Sequence, residues 1–312
     1  MSDPLLSSPT VALPVGLQFI ERGWLSANNT VFAAGVTAVV DTGYCSHAEQ
    51  TVALVESVLQ GVPLQCLANT HLHSDHCGGN AALQQRWPSA QTFIPPGHAQ
   101  AVMDWDETQL TYRPTGQDCP RFRADGVLQP GAEVLLGLQQ WQVHAAPGHD
   151  PHSVILFEPQ SRTLISADAL WENGFGVVFP EIEGIAAFDE VAATLDVIEQ
   201  LQPAVVLPGH GSLFVDVCAA LATARRRLEG FARSPERHAL YAAKVLLKYK
   251  LLEWQQMPLN RVYAWLAATP YYAMLHAAYF NDQPASDWYA SLVADLERSG
   301  AALHQGELLV NQ

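Results

Sequence analysis

Thr70-His71-Leu72-His73-Ser74-Asp75-His76 sets three imidazoles and one carboxylate within six positions. All four are common ligands of a borderline metal such as zinc. The apolar run Val62-Pro63-Leu64-Gln65-Cys66-Leu67-Ala68 precedes the segment, and the turn-forming Gly78-Gly79-Asn80 follows it. A loop at the carboxyl end of a strand is expected, where α/β sheets gather their ligands. His71 and His73 alternate by two and share one face of an extended backbone. Asp75 and His76 follow the turn and aim at a second position. The bland alternative is a polar, exposed, histidine-rich loop.

Further along the chain, three strand-like runs end in small residues and one metal-capable side chain. Trp141-Gln142-Val143-His144-Ala145 leads to Pro147-Gly148-His149, and Thr163-Leu164-Ile165 leads to Ser166-Ala167-Asp168. Ala204-Val205-Val206-Leu207 leads to Pro208-Gly209-His210-Gly211. Glycine beside a ligand permits the tight turn that aims a side chain back over a sheet edge. One such ending carries little weight. Three in series, after a dense His/Asp cluster, form a pattern.

With these pieces, and with an earlier strand ending Val39-Val40-Asp41-Thr42-Gly43, the chain resembles the metallo-β-lactamase superfamily of metal-dependent hydrolases. The matching motifs are residues 70–79, Gly148-His149-Asp150-Pro151, Ala167-Asp168 and Gly209-His210-Gly211, within roughly residues 17–216. The resemblance implies an α/β fold, the αββα metallo-β-lactamase sandwich, with two divalent metal ions in a cleft at one edge. It implies that His71, His73 and His149 hold the first metal and that Asp75, His76 and His210 hold the second. Asp168 then bridges the two, and Asp75 is also the catalytic carboxylate. Asp41 becomes a buttress behind the ligand loops; a turn-capping carboxylate at a strand end is the alternative.

Seven ligands with only two carboxylates leave open coordination positions on two divalent ions. Metal binding lowers the pKa of water toward neutrality, so a metal-bridging hydroxide can attack at pH 7 without Ser or Cys. The expected enzyme is a dinuclear hydrolase acting on a small-molecule thioester, ester or lactone. Zinc is the expected metal, and iron or manganese suits the same donors. The flavodiiron relatives carry Glu where this chain has His73, which disfavours that branch; a mononuclear iron dioxygenase keeps similar ligands. Two other classes compete. One is a phosphodiesterase or ribonuclease branch, which predicts a basic groove near Arg225, Arg226 and Arg227. The other is a non-catalytic, metal-stabilised binding module.

Charge weighs on that choice. Residues 1–219 hold 6 Lys+Arg against 23 Asp+Glu, a formal −17, and residues 220–312 hold 10 against 8, a formal +2, which together give −15. A cleft in so acidic a field attracts polyanions poorly, so nucleic acid is not the expected partner. No run of about 18 apolar residues exists, so no membrane span is expected. Met1-Ser2-Asp3-Pro4-Leu5-Leu6-Ser7-Ser8-Pro9 lacks a basic patch and a long apolar stretch, so no secretory signal is expected. Cys45, Cys66, Cys77, Cys119 and Cys218 are odd in number and scattered, which reads as reduced thiols in a cytoplasm. Cys77 reads as a small buried residue beneath the ligand loop.

Two segments follow from the pattern: a catalytic domain over 1–216 and an all-α extension over 217–312. Helices are expected at about 46–60, 80–86 and 188–201, and the 101–130 stretch is an excursion, in part helical. In the extension, Leu240, Leu247, Leu251 and Trp254 mark one face of a helix that Pro258 interrupts. Helices over 259–266, 271–279 and 286–297 follow. The extension is too apolar for a free tail. It packs on the catalytic domain, walls the cleft or forms a homodimer contact. For the substrate pocket the sequence offers Trp171 and Phe175, in the glycine- and aromatic-rich run after Asp168, and His152.

Overall fold

Ala38 and Val40 point to one side of their strand and Val39 to the other, and the same period of two sets every layer of this protein. A computed structural model describes residues 13–312. The expectation about residues 1–9 lies outside them.

The first sheet runs β1 (Leu17–Ile20), β2 (Asn29–Phe32), β3 (Ala38–Val40), β4 (Cys66–Ala68), β5 (Gln91–Ile94), β6 (Gly126–Val127) in spatial order. β3, β4, β5 and β6 pair in parallel, while β1, β2 and β3 pair antiparallel. The second sheet has the order β11 (Val205–Pro208), β10 (Thr163–Ala167), β9 (Val154–Glu158), β8 (Gln139–Ala145), β7 (Glu133–Leu136), numbered along the chain. Only β10 and β11 pair in parallel there.

Between the sheets, Phe32, Ala38 and Val40 meet Trp141, Leu156 and Leu207 in one apolar core. Outside the first sheet, Val31, Val39 and Leu67 pack against α1 (Ala48–Leu59) and α3 (Asn80–Arg86), which flank the single turn α2 (Ser74–Cys77). α4 (Ala99–Asp104) and α5 (Tyr112–Thr115) occupy the excursion, and α6 (Phe179–Ile182) follows Asp168. Outside the second sheet, Ile155, Leu164 and Val206 pack against α7 (Phe188–Leu201) and α8 (Val217–Arg233). This is the αββα sandwich.

The remainder is helical: α9 (Pro235–Trp254), α10 (Leu259–Ala268), α11 (Pro270–Tyr279) and α12 (Ala285–Arg298). It is not helical throughout. β12 (Gln256–Pro258), β13 (Ala302–Gln305) and β14 (Leu308–Asn311) form a small antiparallel sheet in the order β12-β14-β13. These strands are short, and only Ala302 and Leu309 in them are buried, so they carry too little apolar alternation to be read from sequence. The extension's core also takes in Val177 and Ile182 from the segment after Asp168. Its apolar content is thus buried within the chain and does not call for a homodimer. No helix among the described residues is long and apolar enough to cross a membrane.

Candidate metal centre

Every metal-capable side chain of the cluster leaves the carboxyl end of a strand. His71 and His73 follow β4 on open chain, and α2 then turns Asp75 and His76 to a different position. His149 follows β8, Asp168 follows β10 and His210 follows β11. Two of these ends are held in the left-handed region, Asp41 at φ +56° and Ala167 at φ +46°. That conformation costs a non-glycine residue about 1–2 kcal/mol and collects where side chains must be aimed. Glycine clears the space: a Cβ on Gly209 would fall 2.2 Å from Asp168 Oδ1, and one on Gly176 2.4 Å from His149 Nδ1.

Three sets of donor atoms converge, each within 4.8 Å: His71, His73 and His149; His71, His76 and Asp168; Asp75, His76 and His210. His149 Nε2 lies 2.9 Å from His73 Nδ1 and 3.3 Å from His71 Nε2. Its Nδ1 donates to the Val177 carbonyl at 2.5 Å, so Nε2 turns a lone pair toward the other rings. His76 is fixed in the same way. Its Nδ1 donates to Asp41 Oδ2 at 2.8 Å, and its buried Nε2 has no hydrogen-bond partner. Asp168 presents Oδ1 to His76 Nε2 at 3.3 Å and Oδ2 to His149 Nε2 at 3.4 Å, one oxygen toward the third set and the other toward the first. His210 Nε2 stands 3.1 Å from Asp75 Oδ2. Converging lone pairs and an orphaned buried nitrogen are donors awaiting a cation, and the residues fit one.

The electrostatics agree. Burial, then the neighbouring imidazoles, hold His71 well below its ordinary pKa and bring His73 down to about 4. Both are neutral donors at pH 7. Burial also disfavours charge on His76, but Asp41, Asp168 and Asp75 outweigh it and raise its pKa well above the usual value. Burial opposes ionisation of Asp168, and the charges of His76 and His210 override it and hold the carboxyl well below the usual range. Carboxylates that favour a second proton on His76 equally favour a metal ion in its place.

Asp41 stands behind this cluster: Oδ1 accepts from the Thr70 amide at 2.9 Å and Oδ2 from the Thr70 hydroxyl at 2.8 Å. Cys77 lies beneath the loop, fully buried, with its thiol toward the Leu72 and His73 carbonyls. A cavity of about 530 Å³ opens on the cluster, and Trp171 lines it, its Nε1 donating to Asp168 Oδ1 at 3.3 Å. Phe175 and His152 are placed elsewhere. Phe175 is 1% exposed in the core beneath Arg227, and the His152 ring packs on His98.

Other residues enter unannounced. Trp24 stacks on His210 with ring centroids 5.3 Å apart, and Phe179 packs against His73 at 4.7 Å. Asp150 approaches His73 at 3.9 Å, and Tyr249 of α9 reaches the Ser74 hydroxyl at 3.5 Å. Phe179 belongs to the aromatic run after Asp168, and Tyr249 recurs with Tyr241 and Val245 at helical spacing; both carried a signal. Trp24, in a loop, carried none.

The sequence pattern of the metallo-beta-lactamase superfamily matches residues 22–210. The chain belongs to that superfamily. Among its curated members it is similar to a hydroxyacylglutathione hydrolase of Anaeromyxobacter dehalogenans, 35% identical over 144 residues, 46% of each chain. It is also similar to the probable metallo-hydrolase YybB of Bacillus subtilis, 25% identical over 174 residues, 55% of this chain and 74% of that one. The chain thus spans about half the length of the hydroxyacylglutathione hydrolases it matches. A solved β-lactamase domain protein from Burkholderia ambifaria superimposes with a TM-score of 0.56 at 18% identity. The match covers 98% of this chain and 97% of that one, so the likeness in fold takes in the extension as well as the sandwich.

Proposed function

We propose that this chain is a dinuclear metal-dependent hydrolase acting on a small thioester, ester or lactone. The observation that carries this reading is the pairing of Asp168, one oxygen toward His149 and the other toward His76, between two sets of inward-facing donors. His71, His73 and His149 would hold one ion, Asp75, His76 and His210 the other, with Asp168 between them. Residues 1–216 form the catalytic unit in this reading and residues 217–312 its outer wall. Two divalent ions, zinc first and iron or manganese by supply, would contribute Lewis acidity and bring the pKa of water toward 7.

The chain's own residues do the rest. Asp41 and the Val177 carbonyl fix the tautomers of His76 and His149. The Asp75 side chain is 15% exposed against 6% for Asp168, so it is the carboxylate that substrate and water can reach. We assign it the proton released when water is activated. Trp171 and Phe179 line the cavity against bulk water. Five free cysteines support a cytoplasmic location.

The phosphodiesterase reading finds less support. Arg225 is paired with Asp196 and Glu199, and Arg227 lies over Phe175, Phe231 and Tyr241. Screening metal-loaded protein against acyl thioesters, esters, lactones, β-lactams and phosphodiesters decides between them. Turnover of thioesters, esters or lactones is expected, and turnover of phosphodiesters alone sinks the proposal. An Asp75→Ala protein matching wild type in every assay would point to a binding module.

A further inference from the structure

α9 faces both the core of the extension and the cavity. Ala239, Ala243 and Leu247 pack into that core, and Leu246 both packs there and lines the cavity. Tyr241, Lys244, Val245, Lys248, Tyr249 and Leu252 recur at helical spacing and line the cavity on the donor cluster, Tyr249 buried and the others partly so. At 1.5 Å per residue this stripe is about 16 Å long. His73, Asp75, His149, Asp168 and His210 of the cluster line the same cavity, with Tyr249 beside Ser74; the lining also includes Leu296 and Ser299 from the extension.

We propose that the cavity holds an apolar acyl or aryl tail, with the reacting carbonyl at the cluster, so the substrate is a medium- to long-chain acyl thioester, ester or lactone. This rests on the hydrolase reading above. Charge carries the choice of tail. Among the described residues no arginine lines the cavity, and its two lysines, Lys244 and Lys248, both have partners. The Lys248 ammonium donates to the Ala301 carbonyl, Asn311 Oδ1 and the Gln312 carbonyl at 2.7, 2.6 and 2.7 Å. Lys244 lies 3.6 Å from the Asp295 carboxylate. Lysines with tied heads wall a cavity with methylenes. An anionic carrier such as glutathione meets no unpaired cation among the lining residues. Aromatic and aliphatic side chains from both halves of the chain, Trp24, Val177, Phe179, Val245 and Leu252, meet an apolar tail instead.

The test uses the full-length, metal-loaded protein. kcat/KM for p-nitrophenyl esters from acetyl to decanoyl is expected to rise about fourfold per buried methylene until the cavity is full. Val245→Trp should shift the ratio of decanoyl to acetyl turnover at least tenfold toward acetyl. N-phenyl-1-naphthylamine, an uncharged fluorescent probe, is expected to bind and to be displaced by decanoate. Ester turnover that favours acetyl, with no probe binding, overturns the tail assignment and leaves the hydrolase reading standing. Faster turnover of S-lactoylglutathione than of a decanoyl thioester overturns it too. Probe binding displaced by decanoate, with no turnover of any ester, thioester or lactone, upholds the tail site and overturns the hydrolase reading. The wild-type series decides the matter even if the variant fails to fold.

Discussion

Asp41 touches no substrate, yet its two oxygens bind the Thr70 amide, the Thr70 hydroxyl and the His76 ring. It thereby aims the first residues of the ligand loop and one of the donors. Partners of this kind are worth roughly 10–100-fold in metal affinity. Asp41→Ala is expected to weaken zinc binding by that factor while far-UV circular dichroism stays native. Competition with a chromogenic chelator measures it, and a loss below about threefold would leave Asp41 a turn cap only. Gly209→Ala makes a sharper demand. Its methyl would meet Asp168 Oδ1 at 2.2 Å, so the carboxylate must move, and metal content after dialysis should fall. At this scale the sequence was informative because metal donors are few in kind and each stood after an apolar run. It was silent on Trp24, since a tryptophan that stacks on His210 looks, in sequence, like any loop residue.

Elements show where local signals suffice. α3 spans Asn80–Arg86 and α7 spans Phe188–Leu201, as the spacing and the flanking Gly79, Pro88 and Pro203 indicate. Leu195 of α7 is fully buried, and Leu195→Ala should destabilise by about 2–5 kcal/mol in urea unfolding. α9 is harder, because its wide buried face and its cavity-lining stripe blur one another. His238 on that helix accepts from the Val178 amide at 3.1 Å, and burial followed by the charge of Arg227 lowers its pKa to about 4. The unfolded chain takes up this proton below about 6.5, the native chain only below about 4. The stability it contributes is therefore complete above pH 6.5 and is lost as pH falls toward 4, up to about 3 kcal/mol. His238→Gln keeps an acceptor without the titration. Its unfolding free energy should fall less steeply over that window, and equal slopes would assign the acid sensitivity elsewhere.

For the whole molecule, stability and site occupancy are expected to be one quantity. Donor sets crowded with buried imidazoles and inward-facing lone pairs should make the metal-free protein less stable than the loaded one. Each tenfold rise in zinc above saturation adds about 1.4 kcal/mol per site, and a chelator should lower the melting temperature correspondingly. Calorimetry with and without EDTA tests this; coincident transitions would mean that the fold does not depend on the ions.

The His238 clamp also orders events in time. Val177 orients His149 through its carbonyl, and its neighbour Val178 is gripped by a residue 89 positions after that ligand. At cellular elongation rates of about 5–20 residues per second, roughly 4–18 s separate the synthesis of the two. Through that interval Asp168 and His210 are added to the donors already made, and the helix that braces His149 follows them. The donor set is complete only with His210, 28 positions before His238, so about 1–6 s separate a full set of donors from the clamp that would close its outer wall.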